Sequence, residues 1–270
     1  SRFDGPRDPL YPYLTLRSVD RRAYRSRPLR KSEIDALEQA LGTNLAVAWH
    51  QGVRKRWLWA RLAARATAIR LQIPEAFLIH RKIIDWERVH SPDGIPAGTV
   101  GLDRISLRLM RWAMGNWSRM RFINRIGGVL SAEAQLDYLP GLCCAAFFTL
   151  TLLQGRERDQ RVGALLRAGQ DIQRFWLTAT RLGLAIQPNL AILAFAHYGE
   201  ASTTFTTEPS MLGKAKVLGE ALRKAITGDA DRLVFVGRIG EPHPHMPFER
   251  STRRPLDELL ERSNTEQLPS

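Results

Sequence analysis

This chain lacks the means to build disulfides. Its two cysteines, Cys143 and Cys144, are adjacent in an apolar run, and neighbouring cysteines cannot staple distant segments and bond to each other only with strain. They read as small core residues in a chain kept in a reducing compartment. Long apolar runs are missing too: nothing approaches the roughly 20 residues that a membrane-spanning helix needs. The opening SRFDGPRDPL lacks the basic-then-apolar layout of a secretory signal. A soluble, cytoplasmic protein is the expectation, and the turn-rich opening without Met is expected to continue from a longer polypeptide.

Recognised catalytic punctuation is equally scarce. The six histidines include one close pair, His243-Pro244-His245, without the HExxH or Cys/His spacing that holds zinc, so no metal is expected. There is no GxSxG element and no local cysteine-nucleophile signature. Asp85 and Glu87 read as an ordinary charged helix face rather than an acid pair. Neither a Walker loop nor a GxGxxG after a strand is present. The sequence therefore nominates no acid–base or nucleophilic residue.

Positive charge is what the chain has in excess. Forty Lys and Arg stand against 27 Asp and Glu, a formal net charge of +13. Only six of the cations are Lys; the other 34 are Arg, whose planar fork grips phosphate or carboxylate with two parallel hydrogen bonds. RNA, an anionic surface or a small phosphorylated ligand would each suit that charge, although no nucleic-acid motif accompanies it. Two clusters are conspicuous, LRSVDRRAYR (16–25) and RSTRRPL (250–256). Converged by the fold, they would make a site for a phosphate monoester; left apart, they are solvated surface.

Hydrophobic spacing predicts a helix opened by Ser32 as N-cap and stopped at Gly42, then a strand LAVAW at 45–49. A helix over 54–71 is expected to pack Trp57, Leu58, Leu62 and Ile69 inward, in preference to lying on a membrane surface. Further helices are expected over 75–89 and 103–120, separated by the loop SPDGIPAG, with a short one around Ser131–Leu136. The Met- and Trp-rich segment 105–120 suits a core helix or the wall of a pocket. The uncharged CCAAFFTLTLL at 143–153 predicts a strand buried on both faces. A long helix at 161–182 ends on Arg181-Leu182-Gly183. The strand LAIQP, helices over 189–199 and 209–227, and the strand LVFVGRIG complete an α+β pattern. Residues 1–270 read as a single domain with a helical insertion at about 54–125.

The order of three of these pieces, RSVDRRAYRSRPL (17–29), GQDIQRFWLTATRLGLAIQP (169–188) and FVGRIGEPHPHMPFERSTRRPL (235–256), resembles the flavin-dependent nitroreductase superfamily. IPEAFLIHRKIIDW and SPDGIP further resemble its divergent branch, in which added segments cover the flavin. The resemblance implies a nitroreductase-like α+β fold, with a central mixed or antiparallel sheet surrounded by helices. It also implies FMN as cofactor, NAD(P)H as transient reductant, a small electrophilic acceptor, and a homodimer or association with another nitroreductase-like segment. Carried over by position, Arg17 and Ser18, with Arg21 or Arg22, would hold the FMN phosphate and ribityl. Arg253 and Arg254 would hold the same phosphate, and Ala185, Ile186 and Gln187 would present backbone to the flavin ring. Two departures stand out: Asp20 sits where the family pattern has a basic residue, and the Asn-Thr-Gln-Pro-Trp flavin contact of the divergent branch is not in this chain. A flavin-sequestering protein on the same fold, or a basic protein binding RNA or an anionic surface, are the alternatives.

Overall fold

The computed structural model describes residues 6–153, 158–243, 250–252, 254, 257 and 258. In chain order they form α1 (Lys31–Ala40), β1 (Leu45–His50), α2 (Val53–Leu71), α3 (Pro74–Ile83), and the two-residue strands β2 (Ile84–Asp85), β3 (His90–Ser91) and β4 (Ile95–Pro96). Next come α4 (Arg104–Ala113), α5 (Trp117–Ile123), α6 (Val129–Glu133) and α7 (Leu139–Leu142), the last three joined through π-helical turns at Asn124–Gly128 and Ala134–Tyr138. They are followed by β5 (Ala146–Leu152), α8 (Arg158–Arg181), β6 (Ala185–Pro188), α9 (Leu190–Glu200), α10 (Pro209–Ala225), β7 (Leu233–Gly240) and β8 (Arg250–Ser251).

The central sheet has the order β1-β5-β7-β6, with every neighbour antiparallel. The chain is therefore α+β, as its sequence pattern implies. Phe147 and Phe148 are consecutive and both buried, which requires helices on both faces of the sheet. On one face Leu37 of α1 and Ala168, Phe175 and Trp176 of α8 pack with Phe148, Leu150, Phe235 and Ile239. On the other, Trp59, Leu62 and Ile69 of α2, Phe195 of α9 and Leu218 of α10 pack with Phe147 and Val236. Phe148 sits inside an aromatic group, its ring centroid 5.1 Å from Phe175 and 5.7 Å from Phe235. The cysteines are free; Cys144 is buried, its thiol donating to the Gly141 carbonyl at 3.1 Å, and burial pushes its pKa up to about 11.

Several local expectations are corrected. The first helix starts one residue before Ser32, because Glu33 turns back to accept from the Arg30 amide at 2.8 Å and takes over the capping role. Arg27 then binds Glu33 at 2.7 Å and Glu241 at 2.5 Å, tying the start of α1 to the end of β7. In α2 the inward tryptophan is Trp59; Trp57 is exposed and rests on Tyr138. The helix expected over 75–89 ends at Ile83: Ile84 and Asp85 pair with Ile95 and Pro96, and the Asp85 carboxylate accepts from the amides of Glu87 and Arg88. The 103–120 helix breaks at Gly115–Asn116, where Asn116 caps α5 by accepting from the Arg119 amide at 2.9 Å. Gly127, at φ +107°, supplies the left-handed residue that turns the chain from α5 toward α6.

Gly199 marks a close approach between α9 and α10: a methyl group there would overlap the backbone of Ala215. Since Ala215 is backbone and cannot rotate away, Gly199→Ala is expected to destabilise the fold by about 3 kcal/mol, at the upper end of overpacking costs. Urea denaturation reads the loss directly; an unchanged midpoint would show that the two helices can separate freely.

Candidate functional site

Between the β6–α9 turn, α2 and the α3–α7 helices lies a cavity of about 410 Å³, within the range of small-molecule sites. Its walls are mostly apolar, with Met110, Met114, Ile123 and Leu136 among them. Into this lining project Arg21, Thr67, Arg70, His80, Asp137, Gln187 and Asn189. Asp103 makes the helix forming one wall, accepting from the amides of Ile105 and Ser106 at 2.8 and 3.0 Å and from the Ser106 hydroxyl at 2.6 Å. Three polar atoms in the cavity are buried without a hydrogen-bond partner: Arg70 Nε, Asp137 Oδ2 and Asn189 Oδ1. Leaving such atoms unpaired costs about 1–3 kcal/mol each, which a ligand in the cavity would offset by supplying partners; Arg56 Nε and Arg238 Nη1, on residues that do not line it, are unpartnered as well.

The charges are arranged unusually. Arg21 reaches the Thr99 carbonyl at 3.4 Å, and its pKa is lowered first by burial and then by the neighbouring Arg70. Arg70 is likewise pulled down by burial, with Asp137 acting in the opposite direction. Asp137 is pushed up to about 7 by burial; a hydrogen bond from Thr67 and the charges of Arg70 and Arg238 oppose that rise, while Glu133 adds to it. His80 is held down at about 4 by burial and by Arg70, so its imidazole is neutral. Two guanidinium groups thus repel each other across an apolar space with a half-protonated carboxyl beside them. That combination favours an anion on the ligand.

Arg238 anchors the floor. It is 1% exposed on β7, donates from Nε to the Gln187 Oε1 at 2.6 Å and from Nη2 to the Arg22 carbonyl at 2.7 Å, and lies 4.2 Å from the centre of the Tyr24 ring. Tyr24 in turn donates to the Asp20 carbonyl at 2.5 Å. Because Gln187 Oε1 is occupied, its Nε2 donors are the half of that amide available to a ligand.

The N-terminal motif and the LGL strand, over 160 residues apart, do meet: Val19 bridges Ile186 in parallel, and the Asp20 amide donates to the Ile186 carbonyl at 3.4 Å. Ala185, Ile186 and Gln187 all pair with β7, with Val19 on the other side of Ile186; of this trio, Gln187 lines the cavity. Among the arginines expected around a phosphate, Arg21 lines the cavity. Arg22 is gripped by the buried Asp20, Nε to Oδ1 at 2.9 Å and Nη2 to Oδ2 at 2.7 Å. Arg17 lies over Trp176 at 4.5 Å, Ser18 is half-buried next to the bridge, and Arg254 pairs with Asp93. Arg253 lies outside the described residues, as does His245.

Arg70, Asp137 and Asn189 were not anticipated. Asp137 carried a usable signal, being the sole charged residue between Glu133 and Arg156. Arg70 carried none, since nothing in its spacing separates it from the arginines of α2 that face water. Among the described residues no cluster of three or more metal-ligating side chains occurs, and no helix is long and apolar enough to cross a membrane.

The α+β sheet, covered by helices on both faces, thus carries at its β6 edge a mostly apolar cavity lined also by Arg21, Arg70 and Asp137. No family model matches the chain, and no curated protein matches it. Among solved structures it is similar to a nitroreductase-like family protein from Bacillus cereus, at 12% identity over 94% of this chain and 96% of that one, TM-score 0.47. It is similar also to nitroreductase A from Vibrio parahaemolyticus (11% identity, 97% and 85% covered, TM-score 0.42). A third is a nitroreductase with bound FMN from Bacteroides fragilis (11% identity, 92% and 96% covered, TM-score 0.43).

Two outcomes follow from the buried charges. Asp137 has a native pKa above its unfolded value, so the native state holds the extra proton between about pH 4 and pH 7 and stability falls as pH rises through that window. Asp137→Asn is therefore expected to lose less stability than the parent between pH 5 and 8, by on the order of 2 kcal/mol in urea melts; parallel pH profiles would refute it. Arg238→Lys keeps the charge but loses the fork that reaches Gln187 and Arg22 together. It is expected to cost about 1–3 kcal/mol in the same assay.

Proposed function

We propose that this chain is an FMN-dependent oxidoreductase of nitroreductase type, a single domain whose cavity takes the flavin and a flat electrophilic acceptor. One observation carries the reading: the 17–22 segment and the LGL strand, the motifs that resemble nitroreductases, meet at the edge of an apolar cavity that holds two unneutralised guanidinium groups. The residues suit the group. Methionine and aliphatic walls match an isoalloxazine face, while the unpaired Asn189 Oδ1 and the Gln187 amide match its polar edge. Arg21 and Arg70 match its phosphate, and Arg17, Ser18, Arg22, Arg253 and Arg254 remain the further positions that the resemblance assigns to it.

When bound, FMN would accept a hydride from NAD(P)H and pass it to the acceptor. The protein's share is placement and electrostatics. Arg238 holds Gln187 in one orientation, and the α3–α7 helices keep water from the apolar space. Asp137, near half-protonated at neutral pH, holds a proton at a carboxyl whose Oδ2 has no partner. The homodimer implied by the resemblance belongs to this proposal, and gel filtration reads it. A second reading, flavin held with little turnover, is favoured by the internal commitment of Arg22 to Asp20 and of Arg254 to Asp93.

Titration of the purified protein with FMN, followed by visible absorbance and quenching of flavin fluorescence, tests the proposal. Saturable binding is expected, weakened about 10- to 100-fold in Arg21→Ala by loss of a charge-assisted contact. NAD(P)H oxidation by the loaded protein separates the oxidoreductase from the sequestering reading. Absence of binding at millimolar FMN sinks both.

A further inference from the structure

The stretch 104–132 contains six arginines and not one acidic residue. It forms α4, α5 and the start of α6, a helical hairpin closed at its base by the Asp103 amide donating to Gln135 Oε1 at 2.8 Å and by Gln135 Nε2 donating to the Ser106 hydroxyl at 3.0 Å. At its tip Arg119 lies 5.1 Å from the Trp112 ring centre. The inner side of the hairpin, with Ser106, Met110, Met120 and Ile123, lines the cavity.

Its other side should be polar if it only met water, and it is not. On α4, Ile105, Leu109 and Trp112 follow i, i+4, i+7 spacing and are 78%, 43% and 46% exposed. Along the second arm Phe122 and Ile126 lead up to the Gly127 turn and are 55% and 64% exposed, and beyond that turn Leu130 of α6 is 70% exposed. Arg104, Arg108, Arg119, Arg121 and Arg125 are exposed among them; Arg111, also exposed, pairs with Glu87. Single exposed apolar residues need no explanation, but a run of six large ones on one hairpin does.

We infer that the outer face of this hairpin docks on an anionic lipid surface. Bulky apolar side chains flanked by arginine suit the boundary between headgroups and acyl chains: the apolar groups enter the boundary and the guanidinium groups meet lipid phosphates. Charge complementarity selects this occupant. A second copy would bring arginine against arginine with no acid in the stretch to offset it. A single-stranded nucleic acid would use the charge but would leave Ile105, Leu109, Ile126 and Leu130 in water, since bases stack on aromatic rings rather than on branched aliphatic chains. Leu109 belongs both to the exposed ridge and to the cavity wall, so the docked face borders the site. The inference stands independently of what the cavity binds.

Co-sedimentation of the full chain with vesicles tests it, comparing pure phosphatidylcholine with phosphatidylcholine containing one-third phosphatidylserine. Binding to the anionic vesicles alone, falling with added salt, is expected. Arg108→Gln with Arg121→Gln should weaken it roughly 30-fold, at about 1 kcal/mol per cation near the surface. Ile105→Ser with Phe122→Ser should weaken it at least about 10-fold. All four positions are exposed, and unchanged thermal melts confirm that the variants fold. Equal binding to both vesicle types, or none to either, overturns the inference. It is overturned also if poly-uridylate binds and the apolar variant leaves that binding intact while vesicles do not bind. Self-association abolished by Phe122→Ser, without vesicle binding, would make the face an interface between copies and overturn it likewise.

Discussion

A guanidinium group buried without a carboxylate holds the site of this protein together. Arg238 hydrogen-bonds to neutral oxygens, the side chain of Gln187 and the backbone of Arg22, and rests on the Tyr24 ring. Burying a charge in this way is costly, and it is tolerated only while those contacts stay in place. The consequence is rigidity where the chain would otherwise be loose. The N-terminal segment, which has no regular secondary structure between residues 17 and 30, is fixed against β6 and β7 through Arg238, the Val19–Ile186 bridge and the Arg27–Glu33–Glu241 ion pairs. That fixation delivers Arg21 to the cavity.

The large positive charge divides into three parts with different physics. Some arginines are consumed internally: Arg22 by Asp20, Arg27 by Glu33 and Glu241, Arg254 by Asp93. Two, Arg21 and Arg70, repel each other across a mostly apolar cavity and give it an appetite for an anion. A third set stands on the outside of the α4–α6 hairpin, interleaved with exposed apolar side chains. The same hairpin serves both the second part and the third, its inner face forming the cavity wall and its outer face the basic, greasy surface.

Much of the fold was legible because its elements are strongly patterned. The uncharged run containing Phe147 and Phe148 could only be a strand covered on both faces, and the spacing of α2, α8, α9 and α10 announced helices close to their observed ends. The errors lie where local chemistry competes with periodicity. Glu33 displaced Ser32 as the organiser of α1, the Asp85 carboxylate drew the chain out of α3, and Asn116 restarted a helix that Gly115 had ended. The candidate site was half legible. Arg21 and Gln187 lay in motifs that the family resemblance had singled out, whereas Asp137 was missed although it is a lone charge in an apolar stretch. Arg70 and Asn189 looked like any surface arginine and any turn asparagine.

Composition and pattern alone determined that this chain builds an α+β core without disulfides and carries a large excess of arginine, while the pairing of its N-terminal arginine segment with its LGL strand was implied only by the family resemblance. Tertiary structure decided which arginines remain available. A guanidinium group has the same formal charge wherever it stands, and only the distance to a carboxylate or a carbonyl decides whether that charge is spent inside the fold or offered to a ligand. Those distances link residues as far apart as Arg22 and Arg238, or Asp93 and Arg254. No local spacing rule encodes them.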